Sequence, residues 1–142
     1  MKRIFVDTVH WIALANPKDQ CHEQATRLEK RLSPFYAVTT DEVLTEFLNR
    51  LSRTPELRKA VAEIVQAIHR DPNIRVLPQT RNSFLSGLEL YQHRPDKEYS
   101  LTDCISMQAM RNEDINDILT ADKHFEQEGF NALYLTSPGD KP

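Results

Sequence analysis

The chain has 142 residues, of which 39% are hydrophobic and 27% charged, and this composition indicates one globular domain rather than a disordered segment. Its net charge of −3 counts against a nucleic-acid binder that works through a basic surface, and no apolar run reaches the ~18 residues of a membrane span. Cys21 and Cys104 have no metal-ligand spacing, and Asp7 and His10 interrupt the N-terminal apolar stretch, so we expect a cytoplasmic protein without a signal peptide.

Strand and helix patterns alternate along the chain. Apolar, β-branched or aromatic runs predict five strands, at residues 3–7, 35–38, 74–77, 117–120 and 132–135. Helical periodicity predicts helices at residues 9–15, 19–32, 41–51, 55–69, 80–92 and 102–111, and a short last one near Asp122. Such alternation predicts an α/β fold with a central parallel sheet and helices on both faces. We expect one domain over residues 1–136 and a frayed tail at 137–142.

Four acidic side chains are predicted to meet at the carboxyl edge of the sheet, where ligands of such folds bind. Asp7 ends the first strand, and Asp122 follows the fourth. Asp103 lies in the first turn of its helix, with Thr102 as the expected N-cap. Glu46 lies at the margin of the apolar arc of its helix and can lean over the same edge.

Three of these acids also have structural explanations. The helix dipole favours Asp103, Asp122 can cap the last helix, and Glu46 can pair with Arg50 one turn later. Asp7 fits a structural role least, because a carboxylate at the end of a buried apolar strand rarely serves packing.

A cluster of acids is electrostatically unfavourable. Two carboxylates ~5 Å apart repel by about 3 kcal/mol at an effective dielectric constant of 20, so four of them require protons or cations. Oxygen ligands without nearby Cys or paired His suit Mg²⁺ or Mn²⁺ rather than Zn²⁺. Mg²⁺ is commonly held by one or two carboxylates together with substrate phosphates, which predicts phosphodiester hydrolysis.

Four segments resemble one known family: "FVDT" (5–8), "TTDEVLTEFLNRL" (39–51), "SLTDCISMQAM" (100–110) and "DILTADKHFEQEGF" (117–130). In this order they resemble the PIN-domain ribonucleases, especially the small VapC-type toxins of prokaryotic toxin–antitoxin pairs, over about residues 3–136. The resemblance implies a PIN-like three-layer α/β/α sandwich. It also implies a Mg²⁺- or Mn²⁺-dependent endoribonuclease that cuts RNA, forms a homodimer and is silenced by a cognate antitoxin.

The resemblance assigns metal binding and catalysis to four residues, Asp7, Glu46, Asp103 and Asp122. It suggests that the hydroxyls of Thr8 and Thr102 lie near the metal or the phosphate. Glu42, one turn before Glu46, could substitute for it or assist it, although the position of Glu46 beside the apolar arc favours Glu46.

Other polar residues are weaker candidates. Lys123 and His124 directly follow Asp122 and are the expected phosphate contacts, while Arg50 could guide RNA towards the site. Most of the five histidines are predicted to lie on the surface, and residues 91–100 to form a flexible loop beside the site. The helices at 19–32 and 55–69 are candidate contact faces for the antitoxin or a second copy.

Other classes of function fit less well. With only three glycines, the chain has no dinucleotide-binding or P-loop motif. An aspartyl-phosphate phosphohydrolase with Asp7 as nucleophile needs a second Asp two residues later, where Val9 stands. A non-catalytic PIN-like module that binds RNA or protein remains an alternative; the four acids argue against it, and an activity assay separates the two.

Overall fold

The computed structural model describes residues 1–136, and its centre is a five-stranded parallel sheet. The strands are Lys2–Val6 (β1), Phe35–Thr40 (β2), Ile74–Leu77 (β3), Asp117–Leu119 (β4) and Asn131–Ala132 (β5). They lie in the order β3-β2-β1-β4-β5, and every neighbouring pair is parallel. The predicted α/β fold with a central parallel sheet is confirmed, while the prediction for 137–142 lies outside the described residues.

Eight helices occur within residues 1–136: Thr8–Ala15 (α1), His22–Leu32 (α2), Asp41–Arg50 (α3), Pro55–Arg70 (α4), Arg81–His93 (α5), Leu101–Asn112 (α6), Lys123–Gln127 (α7) and Leu133–Thr136 (α8). The second begins three residues later than predicted, because the side chain of Asp19 accepts a hydrogen bond from the N–H of Cys21 and forms a turn first. None of the helices in this part of the chain is long and apolar enough to cross a membrane.

The two faces of the sheet are covered by different helices. On one face, the indole N–H of Trp11 in α1 donates to the hydroxyl of Thr39 at 3.3 Å. On the other, Ile105 of α6 lies beside the same cavity as Thr40 and Leu77, which are paired in the sheet. Because neighbouring residues of a strand point to opposite faces, Thr39 and Thr40 show that helices lie on both sides.

The middle strand β1 is the most deeply buried part of the sheet. Ile4, Phe5 and Val6 are at most 1% exposed, as expected for a strand with neighbours on both sides and helices on both faces. Each such side chain contributes about 1.5–3 kcal/mol of burial free energy. The end of β1, where Asp7 follows, is therefore held in a fixed position.

One prediction near the C-terminal end is wrong, and one histidine is an exception to the predicted surface position of most histidines. The strand predicted at 132–135 does not form over that range. Strand β5 has only two residues and ends at Ala132, and Leu133 and Tyr134 are instead buried in the helical turn α8. A short apolar run does not distinguish a strand from a buried helical turn. His10 is fully buried, and its ring nitrogens lie 2.7 Å from the Tyr134 hydroxyl and 2.9 Å from a carboxylate oxygen of Glu29.

The prediction of a loop at 91–100 needs correction as well. Residues 91–93 complete α5, and the remaining residues 94–100 connect it to α6. Arg94 and Tyr99 of this connection both donate hydrogen bonds to the carboxylate of Glu128. The connection is therefore anchored by side chains at both of its ends.

Gly87 permits the close packing of α5 on α6, which leads to a stability prediction. A Cβ atom at this position would overlap Cγ1 of Ile105 and stand 3.1 Å from the backbone N and Cα of that residue. We expect Gly87→Ala to lower the free energy of unfolding by about 1–3 kcal/mol through overpacking, despite the higher helix propensity of alanine. Chemical denaturation measures the free energy of unfolding of the variant and of the wild type. The exposed Glu89→Ala on the same helix should change stability by less than ~0.5 kcal/mol, and equal stability of the two variants would contradict the packing argument.

Candidate metal centre

The candidate site lies where the strand order of the sheet reverses. The chain builds β2 and β3 on one side of β1, and β4 and β5 on the other. Asp7 directly follows β1, and Asp122 comes three residues after the end of β4. Ligands of open parallel sheets bind outside the carboxyl ends of the strands at such a switch point.

The hydroxyl of Thr120 connects these two acids. It donates a hydrogen bond to Oδ2 of Asp7 at 2.8 Å and accepts one from the backbone N–H of Asp122 at 3.1 Å. Thr120 is fully buried, and Asp7 is 5% exposed. Thr120 was not predicted from the sequence; the available signal was a hydroxyl residue that ends the fourth apolar run two positions before an acid.

Asp103 is held by a capping box at the start of α6. The hydroxyl of Ser100 accepts a hydrogen bond from the N–H of Asp103 at 3.0 Å, and Oδ2 of Asp103 accepts one from the N–H of Ser100 at 3.2 Å. The N-cap is therefore Ser100 and not Thr102, which lies in the first helical turn and is partly buried. This reciprocal pair fixes the orientation of the Asp103 carboxylate.

Asp103, Asp122 and His124 offer ligand atoms that all lie within 4.8 Å of one another. Nδ1 of His124 is 3.2 Å from Oδ1 of Asp122 and 3.4 Å from Oδ2 of Asp103. Asp122 also caps α7, because its carboxylate accepts a hydrogen bond from the backbone N–H of His124 at 2.9 Å. It therefore has the predicted capping role and also belongs to the cluster. His124 lies against the acids, whereas Lys123 is exposed.

The two glutamates of α3 differ in their surroundings. The side chain of Glu46 is 30% exposed, and Nη2 of Arg50 lies 3.7 Å from its Oε1, which is the predicted pair one turn apart. Glu42 accepts a hydrogen bond from the hydroxyl of Ser83 at 3.0 Å, at the start of α5. Its carboxylate is thus partly engaged by another helix.

The Thr8 hydroxyl is turned towards the backbone of α3. Thr8 is 1% exposed, and its hydroxyl donates to the carbonyl oxygen of Val43 at 3.5 Å.

The acids interact electrostatically. Burial raises the pKa of Asp7 from its ordinary 3.8 to about 7; the charges of Asp103 and Glu46 act in the same direction, and the hydrogen bond from Thr120 opposes them. Burial also raises the pKa of Asp103, with the charge of Asp122 adding to the shift and the hydrogen bonds from Ser100 and His124 opposing it. Within the described residues, Asp103 and Asp122 thus lie together with His124, and the charges of Asp103 and Glu46 act on Asp7.

The donor set fits a divalent metal ion. Carboxylate oxygens dominate it, and hard oxygen ligands suit Mg²⁺ or Mn²⁺. A cation among these acids would also offset the repulsion and the burial that now raise the pKa values of Asp7 and Asp103.

Carboxylates that gather at such an edge can hold divalent ions, and ions held in this way can stabilise the attacking and leaving oxygens when a phosphodiester is cut. The family profile of the PIN domain matches residues 4–131. The chain belongs to the PIN-domain family, as the resemblance predicted.

Known proteins resemble the chain over most of its length. The 23S rRNA-specific endonuclease VapC20 of Mycobacterium tuberculosis, in strains CDC 1551 / Oshkosh and ATCC 25618 / H37Rv, is 34% identical over 127 residues, which cover 89% of this chain and 95% of the relative. The crystal structure of M. tuberculosis VapC20, described as a sarcin-ricin loop cleaving toxin, matches with a TM-score of 0.80 and 31% identity over 89% of this chain and 95% of that one. FitAcB from Neisseria gonorrhoeae matches with a TM-score of 0.67 and 13% identity over 91% and 95% of the two chains, which concerns the fold alone.

Proposed function

We propose that this protein is a metal-dependent endoribonuclease, the toxin of a toxin–antitoxin pair, and that it cuts ribosomal RNA. The observation that carries the proposal is the cluster of Asp103, Asp122 and His124 beside the buried Asp7, at the switch point of a PIN-domain sheet. The identity to an endonuclease over 95% of the relative's length supports the same activity.

In this proposal, four acids hold one or two Mg²⁺ or Mn²⁺ ions: Asp7, Glu46, Asp103 and Asp122. Divalent ions in such a site supply Lewis acidity, which favours attack of water on a phosphodiester and stabilises the charge of the leaving oxygen.

The chain's own residues orient the acids. Thr120 holds Oδ2 of Asp7 and the backbone of Asp122, and Ser100 holds the carboxylate of Asp103. Lys123 is exposed beside Asp122 and is the proposed phosphate contact on that side. Arg50, whose side chain is 58% exposed, is proposed to attract RNA from the α3 side.

The substrate and partner proposals rest on the relatives and the family. VapC20 is described as specific for 23S rRNA and as cleaving the sarcin-ricin loop, so a structured ribosomal RNA loop is the first substrate to test. A cognate antitoxin, a homodimer and a cytoplasmic location fit a VapC-type toxin that meets ribosomes. The outer faces of α2 and α4 are the proposed contact surfaces; Leu57 of α4 is 37% exposed.

The test is cleavage of a ribosomal RNA loop by the purified protein. We expect cleavage with Mg²⁺ or Mn²⁺, none in excess EDTA, and recovery when the metal is restored. Cleavage that persists in EDTA would contradict the metal dependence. Metal-dependent RNA binding without any cleavage would support the non-catalytic module instead.

A further inference from the structure

Glu128 is a buried acid immediately after α7 that has no assigned role. Its side chain is 4% exposed. Oε1 accepts hydrogen bonds from Nε of Arg94 at 2.9 Å and from the Tyr99 hydroxyl at 3.2 Å. Oε2 accepts from Nη2 of Arg94 at 3.0 Å and from Nη2 of Arg111 at 2.6 Å. We call these four residues the Glu128 network.

The network joins the two segments that carry the tight acid cluster. Asp122 caps the start of α7, and Glu128 directly follows its end. Tyr99 directly precedes Ser100, whose hydroxyl and N–H form the capping box with Asp103. One carboxylate therefore connects the element that carries Asp122 with the residue that precedes the cap of Asp103.

The same network contacts His124. The Tyr99 ring packs against the His124 ring with centroids 5.4 Å apart and an interplanar angle of 56°. Nδ1 of His124 in turn faces both Asp103 and Asp122. Tyr99 is 4% exposed, so its ring and its hydroxyl are both held in place.

The side chain of Glu128 is ionised at neutral pH. Burial alone would raise the pKa of this carboxyl, but the hydrogen bonds from Arg94 and Arg111 outweigh it and lower the pKa to about 2. Charge-assisted, two-point contacts such as that from Arg94 define direction as well as distance. Four hydrogen bonds thus hold the carboxylate of Glu128, while the side chains of its two arginine partners are 37% and 40% exposed.

We propose that Glu128 is a positioning residue of the metal centre, which sets the separation of Asp103 and Asp122 and thereby the affinity for the divalent ion. The inference rests on the proposed function. The interior of α7 is fixed by Phe125, which is 0% exposed, so loss of the network displaces the ends of the segments rather than the fold. Contacts that orient metal ligands alter metal affinity by about 10–100-fold when they are removed, and Glu128 acts on such contacts through Tyr99, which packs on His124 and precedes Ser100.

The chain offers a matched control. Glu113, at the C-terminal end of α6, also joins two arginines: Oε1 accepts from Nη2 of Arg3 at 2.7 Å and from Nη1 of Arg75 at 2.8 Å. Arg3 and Arg75 lie near the starts of β1 and β3, at the edge of the sheet opposite the acids. Glu113→Gln therefore breaks the same kind of pairing without touching the site.

The experiment compares Glu128→Gln, Glu113→Gln and the wild type. Mn²⁺ binding is measured by calorimetry without RNA, and RNA cleavage is titrated with Mg²⁺. We expect Glu128→Gln to bind Mn²⁺ about 10–100-fold more weakly and to need correspondingly more Mg²⁺, while its rate at saturating Mg²⁺ returns close to that of the wild type. Glu113→Gln should match the wild type in both measurements.

Tyr99→Phe removes only the hydroxyl and should also weaken Mn²⁺ binding. This variant tests the proposal if Glu128→Gln does not fold.

Two outcomes are distinguishable. In the first, the wild type binds Mn²⁺ and cuts RNA, but Glu128→Gln or Tyr99→Phe binds Mn²⁺ as tightly as Glu113→Gln does. This result overturns the positioning role alone. Wild-type protein that neither binds Mn²⁺ nor cuts RNA overturns the proposed function, and the inference with it.

Discussion

Asp7→Asn is expected to lower the rate of RNA cleavage by at least about a hundredfold, which corresponds to ~2.7 kcal/mol of lost transition-state stabilisation. The substitution keeps the size of the side chain, and its amide oxygen can still accept the hydrogen bond from Thr120. It removes the negative charge at the end of β1, where a divalent ion is proposed to bind. The measurement is the single-turnover cleavage rate of a ribosomal RNA loop at saturating Mg²⁺.

The control for this prediction is the same substitution at the other edge of the sheet. Asp117 begins β4 and pairs with Lys2, with 2.8 Å between Oδ2 and Nζ. Asp117→Asn should cut RNA at the wild-type rate because it lies at the amino ends of the strands. If Asp7→Asn keeps wild-type cleavage while the reaction still requires metal, Asp7 is not part of the metal centre.

The second large effect is expected in the stability of the metal-free protein. The folded-state pKa of Asp7 is about 7, mainly because of burial, while the unfolded chain has the ordinary value near 3.8. Between these two values the folded state binds more protons, so the contribution of Asp7 to stability is present below about pH 4 and is lost as the pH rises through 7. The full shift corresponds to about 4 kcal/mol.

Asp7→Asn has no such titration, so in EDTA it should be more stable than the wild type at pH 8, by up to about 4 kcal/mol, and close to it at pH 4. Urea denaturation at both pH values measures the difference, and the comparison cancels groups that titrate alike in both proteins. Saturating Mg²⁺ should then stabilise the wild type more than the variant. A variant that is less stable than the wild type at pH 8 in EDTA would show that the Asp7 carboxylate contributes favourably to the fold.

The sequence predicted the sheet and its acids because both follow local rules. Apolar runs that alternate with helical periodicity identify the first four strands; Asp7 follows β1 directly, and Asp122 comes three residues after β4. The capping error at α6 arose because "SLT" offers two hydroxyl residues. The acid three residues after Ser100 completes a reciprocal pair and decides in favour of Ser100.

The contacts that orient the acids could not be predicted, because they join residues far apart in the chain. The hydrogen bond from Thr120 to Asp7 joins residues 113 positions apart in the sequence. Glu128 accepts hydrogen bonds from residues that lie 17 to 34 positions away in the sequence. Nothing in the local pattern near Glu128 distinguishes it from an exposed acid in a turn. The buried position of His10 has the same origin, since Tyr134 is 124 positions away.

The hydroxyl of Thr120 has a consequence for how a divalent ion, as proposed for this site, would enter and leave. A threonine hydroxyl has one hydrogen and two lone pairs, and here one lone pair receives the Asp122 N–H while the hydrogen goes to Asp7. If Asp7 takes up a proton when the ion leaves, its second oxygen can carry it, and the contact with Thr120 remains. Loss of a bound ion would then add one proton to Asp7 and leave the hydrogen-bonded side chains of Asp7 and Thr120 in the same positions.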